Sequence, residues 1–170
     1  MNPMFQRFAA SLGNTLAQPA SWSQTTDAKG VSIAWARLAL ADQLLPLARL
    51  IRVLGGRLST ITAYQVSPNL EIAYHFDLDG STVTATVVLP EQGAVIPSLT
   101  PVFLNADWNE REFMELYDIE VTGHPNPRRL FIDESIDPAV LQRFIPYSDL
   151  VNAASTKSLW EKIMTSRGEI

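Results

Sequence analysis

LEIAYHFDLDGSTVTATVVL, residues 70–89, is the stretch that decides the architecture. Leu70, Ile72, Tyr74, Phe76 and Leu78 alternate with Glu71, Ala73, His75 and Asp77. A strand turns successive side chains to opposite faces, so this period of two marks a half-buried strand. Asp79-Gly80 then supplies two residues that tolerate positive φ, as a tight hairpin turn requires. Alternation resumes through Val83, Ala85, Val87 and Leu89, which predicts an antiparallel hairpin. The β-branched run RLSTITAYQV (57–66) predicts a third strand before it, and Pro90 and Pro97 close the meander.

Upstream, Asn2 before Pro3 is a helix start, and Met4, Phe5, Phe8, Leu12 and Leu16 recur at helical spacing. This predicts an N-terminal helix over 1–18, with QPASWSQTTDAKG as a polar loop after it. VSIAWARL (31–38) is a first strand. In ADQLLPLARLIRVLGG, Asp42 can cap, Pro46 suits the first turn, and Gly55 and Gly56 give the left-handed stop. The apolar set Leu44, Leu47, Leu50, Ile51 and Leu54 is the face of a helix lying on a sheet.

Downstream, SLTPVFLN is a short helical piece, and Asp107 opens a further helix in which Asp107 and Glu110 have capping-box spacing. RRLFID is expected to return as a strand and DPAVLQRF as a short helix. A last amphipathic helix carries Leu159, Trp160, Ile163 and Met164. Together these elements predict an α+β fold: a single domain over 1–170 with a mixed, mainly antiparallel β-sheet and helices packed mainly on one face. Its core is 31–133, and 134–170 is a C-terminal helical extension.

A 170-residue chain with 46% hydrophobic and 18% charged residues can build a proper core, which excludes a mainly disordered protein. The formal net charge of −5, without any basic block, argues against a nucleic-acid partner. With no cysteine, the chain has no disulfides, thiolate catalysis, Cys-ligated zinc or iron–sulfur clusters. The most apolar stretch, LLPLARLIRVL, is shorter than the roughly 20 residues of a membrane span and contains Arg49 and Arg52. The N-terminus lacks the pattern of a secretory signal, so a cytoplasmic location is expected.

The densest chemistry is WNEREFMELYDIEVTGHPNPRR, Trp108–Arg129. Glu110, Glu112, Glu115 and Asp118 could be offered as an acid–base pair or a metal site. Glutamates at a helix start are also favoured by the helix dipole, and a hard metal needs more oxygen ligands. His124 and His75 fit no zinc spacing, and the nucleophile-elbow, phosphate-loop and dinucleotide motifs are absent. Arg128 and Arg129 could clamp an anion or pair with nearby acids. Gly123, Pro125 and Pro127 stiffen the loop between. A stiff loop flanked by charges suits a docking surface as well as a site.

ADWNEREFMELYDIEVTGHPNPRRL (106–130) resembles the signature of the 30-kDa subunit of respiratory complex I (NADH:quinone oxidoreductase, NADH dehydrogenase), shared with related membrane-bound [NiFe]-hydrogenases. Trp108, Glu110, Arg111, Glu112, Glu115, Ile119, Gly123, His124, Pro125, Arg128 and Arg129 fall on it in order and spacing. The likeness spans roughly residues 41–133. Two positions depart from the pattern: Glu115 stands where Asp is usual, and Asp118 where Gly is usual. The segment after the arginine pair also lacks the Pro-Leu-Arg-Lys run many members carry.

The resemblance implies an α+β subunit that binds no cofactor and does no chemistry itself. Its partners would be the large quinone-site (49-kDa-like) or hydrogenase large subunit and a neighbouring iron–sulfur subunit. It would lie on the cytoplasmic face of the inner membrane, peripherally, through the complex. Within this reading, Trp108, Glu110, Arg111, Glu112, Glu115, Gly123, His124, Pro125, Arg128 and Arg129 form the docking signature. Arg111 is expected to pair with Glu115, and Arg128 or Arg129 with Glu110 or Glu112. The alternatives are a small metal- or carboxylate-dependent hydrolase using Glu112, Glu115 and His124, and a free-standing adaptor.

Overall fold

The computed structural model describes residues 2–15 and 21–135. The chain divides into two compact units, Met1–Phe131 and Ile132–Ile170. The first holds helix α1 (Pro3–Thr15), strands β1 (Ser21–Thr26) and β2 (Ser32–Arg37), a 3-10 turn (Ala41–Gln43) and helix α2 (Leu44–Val53). Strands β3 (Arg57–Val66), β4 (Asn69–Leu78), β5 (Ser81–Pro90) and β6 (Val95–Pro97), helix α3 (Ala106–Tyr117) and strand β7 (Glu120–Thr122) follow.

The hairpin of residues 70–89 forms in the expected register, with Leu78 opposite Ser81 and Leu70 opposite Leu89. Asp79 and Gly80 take φ of 51° and 81° at its turn. The sheet runs β1-β2-β5-β4-β3, antiparallel throughout except where β2 meets β5 in parallel. The fold is therefore α+β with a mixed, mainly antiparallel sheet.

Leu58, Ile61, Leu70, Ile72, Tyr74, Phe76, Val83, Ala85 and Val87 point to one face of that sheet and form the core with Phe5, Phe8 and Leu12 of α1, Leu44, Leu47 and Ile51 of α2, and Phe113 of α3. Each fully buried side chain of this size contributes roughly 1.5–3 kcal/mol, so this layer dominates stability. In β2 the small residues Ser32, Ala34 and Ala36 face inward, while Ile33 and Trp35 stay 45% and 51% exposed on the opposite face. Hydrophobicity alone would have oriented that strand the other way.

Asn2 caps α1 with its Oδ1, which accepts the Met4 amide at 2.8 Å. Its Nδ2 donates to the carbonyls of Leu78 and Asp79, fixing the helix start to the hairpin turn. Gly55 ends α2 at φ 85°. A Cβ on Gly56 would lie 2.7 Å from Ile51 Cγ2, so the second glycine lets the chain turn close over the helix into β3.

Several expectations need correction. SWSQTT, expected within a polar loop, is edge strand β1; only Trp22 in it is half-buried, so it carries no alternation. RRLFID forms no strand. Its place is taken by the short parallel pair β6–β7, three residues each, too brief to leave a periodic signal. The N-terminal helix is described over Pro3–Thr15, and its expected end near Gln18 lies outside the described residues. The helices expected in DPAVLQRF and around Trp160 lie outside the described residues.

Candidate functional site

Helix α3 carries most of the signature and lies along β3, the edge strand of the sheet. Asn105 Nδ2 donates to the Leu58 carbonyl at 3.0 Å, Asn109 Nδ2 to Ile61 at 3.5 Å, and Tyr117 Oη to Ala63 at 3.2 Å. An unpaired strand edge is a template for unwanted pairing, and these side chains cover its carbonyls. The helix stops at Asp118, which adopts φ 54° and ψ 39°. That is the left-handed conformation glycine takes most cheaply and Asp tolerates, so the position where the signature usually has Gly is one where Gly would fit without strain. Asp118→Gly is expected to raise unfolding stability by about 0.5–1 kcal/mol in chemical denaturation, with the fold unchanged.

Glu110 is not the partner in a capping box. It is fully buried, pointing inward against the turn before α3. Its carboxylate accepts from Ser98 Oγ and the Leu99 amide, both at 2.6 Å, and from Thr100 Oγ1 at 2.9 Å. His124, its side chain fully buried, sets Nε2 3.6 Å from Glu110 Oε2 and 3.4 Å from Asp107 Oδ1. Nδ1 of His124 accepts the Asn126 amide at 3.0 Å, so Nε2 is the ring nitrogen that faces the two acids. This places the Gly-His-Pro loop directly against the start of α3. The Tyr74 hydroxyl is buried near the same carboxylate without a hydrogen-bond partner among the described residues.

Burial pushes the Glu110 carboxyl above its ordinary value of 4.5, against the opposing pull of Ser98, Leu99, Thr100 and His124. An acid with a raised folded pKa binds its proton in the folded state first. Its contribution is therefore full below the unfolded pKa and is lost as pH rises through the folded value. Stability of the wild type relative to Glu110→Gln should accordingly improve as pH falls from about 7 toward 4.5. Paired denaturation curves across that range check this; a flat difference contradicts it.

Arg111 and Glu115, one turn apart, grip the segment after the loop. Arg111 donates from Nε to the Arg128 carbonyl and from Nη2 to the Arg129 carbonyl, both at 2.7 Å. Glu115 Oε2 accepts the amides of Leu130 and Phe131, both at 2.7 Å. The cation thus takes carbonyls and the anion takes amides along one four-residue run of main chain. The expected pairings are corrected here: Arg111 lies 3.8 Å from Asp107 and turns to these carbonyls rather than to Glu115. Glu110 is held by Ser98, Leu99 and Thr100 rather than by Arg128 or Arg129. Charge-assisted bonds to main chain fix a segment more strictly than exposed ion pairs, which are worth little.

The remaining signature residues lie around this clamp. Gly123 turns the chain at φ 76°, and Pro125 and Arg128 are exposed, with Arg129 half-buried. Trp108 is 70% exposed. Glu112 points away from the clamp into a groove between α3 and β3. Glu112, Glu115 and His124, the trio of the hydrolase alternative, are therefore not brought together. Among the described residues no three His, Asp or Glu side chains converge as metal ligands would. Sequence reasoning misses Ser98, Thr100, Tyr74 and the groove. Ser98-Leu99-Thr100 reads in sequence only as a helical piece, and no spacing rule links it to Glu110.

Residues 39–148 match the family described as respiratory-chain NADH dehydrogenase, 30 Kd subunit. The C subunit of NADH-quinone oxidoreductase from Rhodopseudomonas palustris (strain TIE-1) is 40% identical over 83 residues, covering 48% of this chain and 40% of that protein. The C/D subunit of the Erwinia tasmaniensis NADH-quinone oxidoreductase is 28% identical over 132 residues, covering 69% of this chain and 22% of that protein. This chain thus spans less than half the length of either relative. A trypsin-resistant fragment (1-134) of Nqo5 superposes with a TM-score of 0.55 at 20% identity, over 72% of this chain and 98% of the fragment. A chain of the membrane-bound sulfane sulfur reductase, an archaeal respiratory membrane complex, does so with a TM-score of 0.61 at 12% identity, over 86% of this chain and 91% of that one. The two structures share the fold. The matched span takes in α3, the clamped segment and the Gly-His-Pro loop, and the chain belongs to the family of the respiratory-chain NADH dehydrogenase 30-kDa subunit.

Proposed function

We propose that this chain is a structural subunit of the hydrophilic arm of a complex I-like NADH:quinone oxidoreductase or an energy-converting hydrogenase. It binds no cofactor, performs no electron transfer, and holds the large quinone-site or nickel-site subunit beside an iron–sulfur subunit. It lies peripherally on the cytoplasmic face of the inner membrane through that assembly. Among the described residues no helix is long and apolar enough to cross a membrane.

The observation that carries the reading is how the signature spends its charge. Glu110, Arg111, Glu115 and His124 are all turned to this chain's own backbone or to each other. What they hold still is a loop and a four-residue run at the surface, beside an exposed Trp108. A rigid platform bearing an exposed aromatic loses little entropy on association and offers a large contact area, which suits an interface. A hydrolase would need Glu115 and His124 free beside Glu112, whereas Glu115 accepts main-chain amides and His124 faces Asp107 and Glu110.

Co-expression of the tagged full chain with its neighbouring genes tests the proposal. The large subunit is expected to co-purify in about one-to-one ratio, as an obligate interface requires. A folded chain emerging alone overturns it.

A further inference from the structure

Among the charged residues of α3, Glu112 stands apart. Asp107, Glu110, Arg111 and Glu115 are each engaged within the chain. Glu112 has no hydrogen-bond or ion-pair partner among the described residues and is half-buried. It lines a groove of about 310 Å3 with Thr60 to Ala63 of β3 and with Asn109, Phe113, Leu116 and Tyr117 of α3. Among the described residues, the ionisable groups lining it are this carboxylate and the Tyr117 hydroxyl, and the latter is already donated to Ala63. A carboxylate lining an otherwise uncharged groove is electrostatically complementary to a cation seated there.

The strand side of the groove has its own unspent chemistry. In an antiparallel strand the N–H and C=O of one residue leave on the same side. The carbonyls of Ile61 and Ala63 face α3, where they accept from Asn109 and Tyr117, so the amides of the same residues open toward the groove as well. Along β3 beyond it, Tyr64 and Val66 are exposed, and Leu116 stands at the helix lip. The volume is at the bottom of the roughly 300–1,000 Å3 range of small-ligand pockets, and its shape follows a strand rather than closing around a molecule.

We propose that the β3–α3 groove seats a Lys or Arg side chain carried on an extended segment of the neighbouring large subunit, with Glu112 as its counter-ion and the β3 edge amides meeting its main chain. This rests on the docking role proposed above and names where one of its contacts is made. Charge complementarity selects the occupant: a single anion facing neutral walls favours a cation, and the Ile61 and Ala63 amides beside the covered carbonyls favour extended main chain.

The test uses the full chain co-expressed with the large subunit, as wild type, Glu112→Gln and Glu112→Lys, and with a photo-cross-linking amino acid at position 116. Glu112→Gln should lower recovery of the large subunit about ten-fold, and Glu112→Lys further, with the isolated chain's melting temperature unchanged. The cross-link should map to an extended large-subunit peptide containing Lys or Arg, and replacing that residue with Glu should restore recovery to the Glu112→Lys variant. Wild-type recovery by Glu112→Gln, a cross-linked peptide without a basic residue, or a cross-link to this chain itself overturns the groove assignment and leaves the docking role standing. Failure of the wild type to recover the large subunit overturns both.

Discussion

Glu110→Ala should lose about 3 kcal/mol or more of unfolding stability, the largest effect expected of any polar substitution among the described residues. Three donors converge on this carboxylate within 2.9 Å: Ser98 Oγ, the Leu99 amide and Thr100 Oγ1. Hydrogen bonds to a charged acceptor contribute roughly 1.5–3 kcal/mol each, and a buried donor left without its acceptor costs roughly 1–3 kcal/mol. Opposing this is the desolvation that raises the Glu110 pKa, which alanine relieves. Three bonds and a new cavity outweigh one partly compensated charge. Glu110→Gln keeps the shape and one strong acceptor, so about 1–2 kcal/mol is expected. Urea denaturation monitored at two wavelengths separates the variants. Alanine behaving like glutamine would mean that the carboxylate does not hold the turn at residues 98–100.

The second large effect concerns the clamp. Arg111→Ala and Glu115→Ala should each cost about 1.5–3 kcal/mol, because each removes two charge-assisted bonds to the same stretch of main chain. Since either half holds residues 128–131 for the other, the double variant should cost less than the sum, with a coupling of about 0.5–3 kcal/mol. In each single variant, limited proteolysis should cut near Arg128 or Arg129 well before wild type does. Additive losses with unchanged cleavage would show that the two residues act separately and that the segment is held by something else.

The legible parts of this fold are those with repeated local signals. The alternation of residues 70–89 and the Asp79-Gly80 turn specify β4 and β5, and the 3.6-residue stripe with Gly55 specifies α2. Strand β1 is invisible in sequence because an edge strand exposed on nearly every side chain has no face to declare. Strands β6 and β7 are three residues each and owe their existence to tertiary pairing.

The site is half legible. The signature locates α3 and the loop, but charge sign alone suggests that acids pair with arginines. The structure turns Arg111 to the carbonyls of Arg128 and Arg129 and Glu115 to the amides of Leu130 and Phe131. Opposite charges on one helix face are a sequence feature, whereas a backbone segment passing between them is not. Asp118 makes the same point from the other side: a departure in residue type sits at a left-handed helix stop, the conformation that glycine favours.

Hydrogen–deuterium exchange of the chain, alone and in complex with the co-purified large subunit, tests the docking role most directly. Protection on binding should concentrate in peptides covering residues 104–116 and 124–131, with 60–66 joining them along the β3 edge. If those peptides exchange equally in the free and assembled states while protection falls elsewhere on the chain, the signature is not the holding surface.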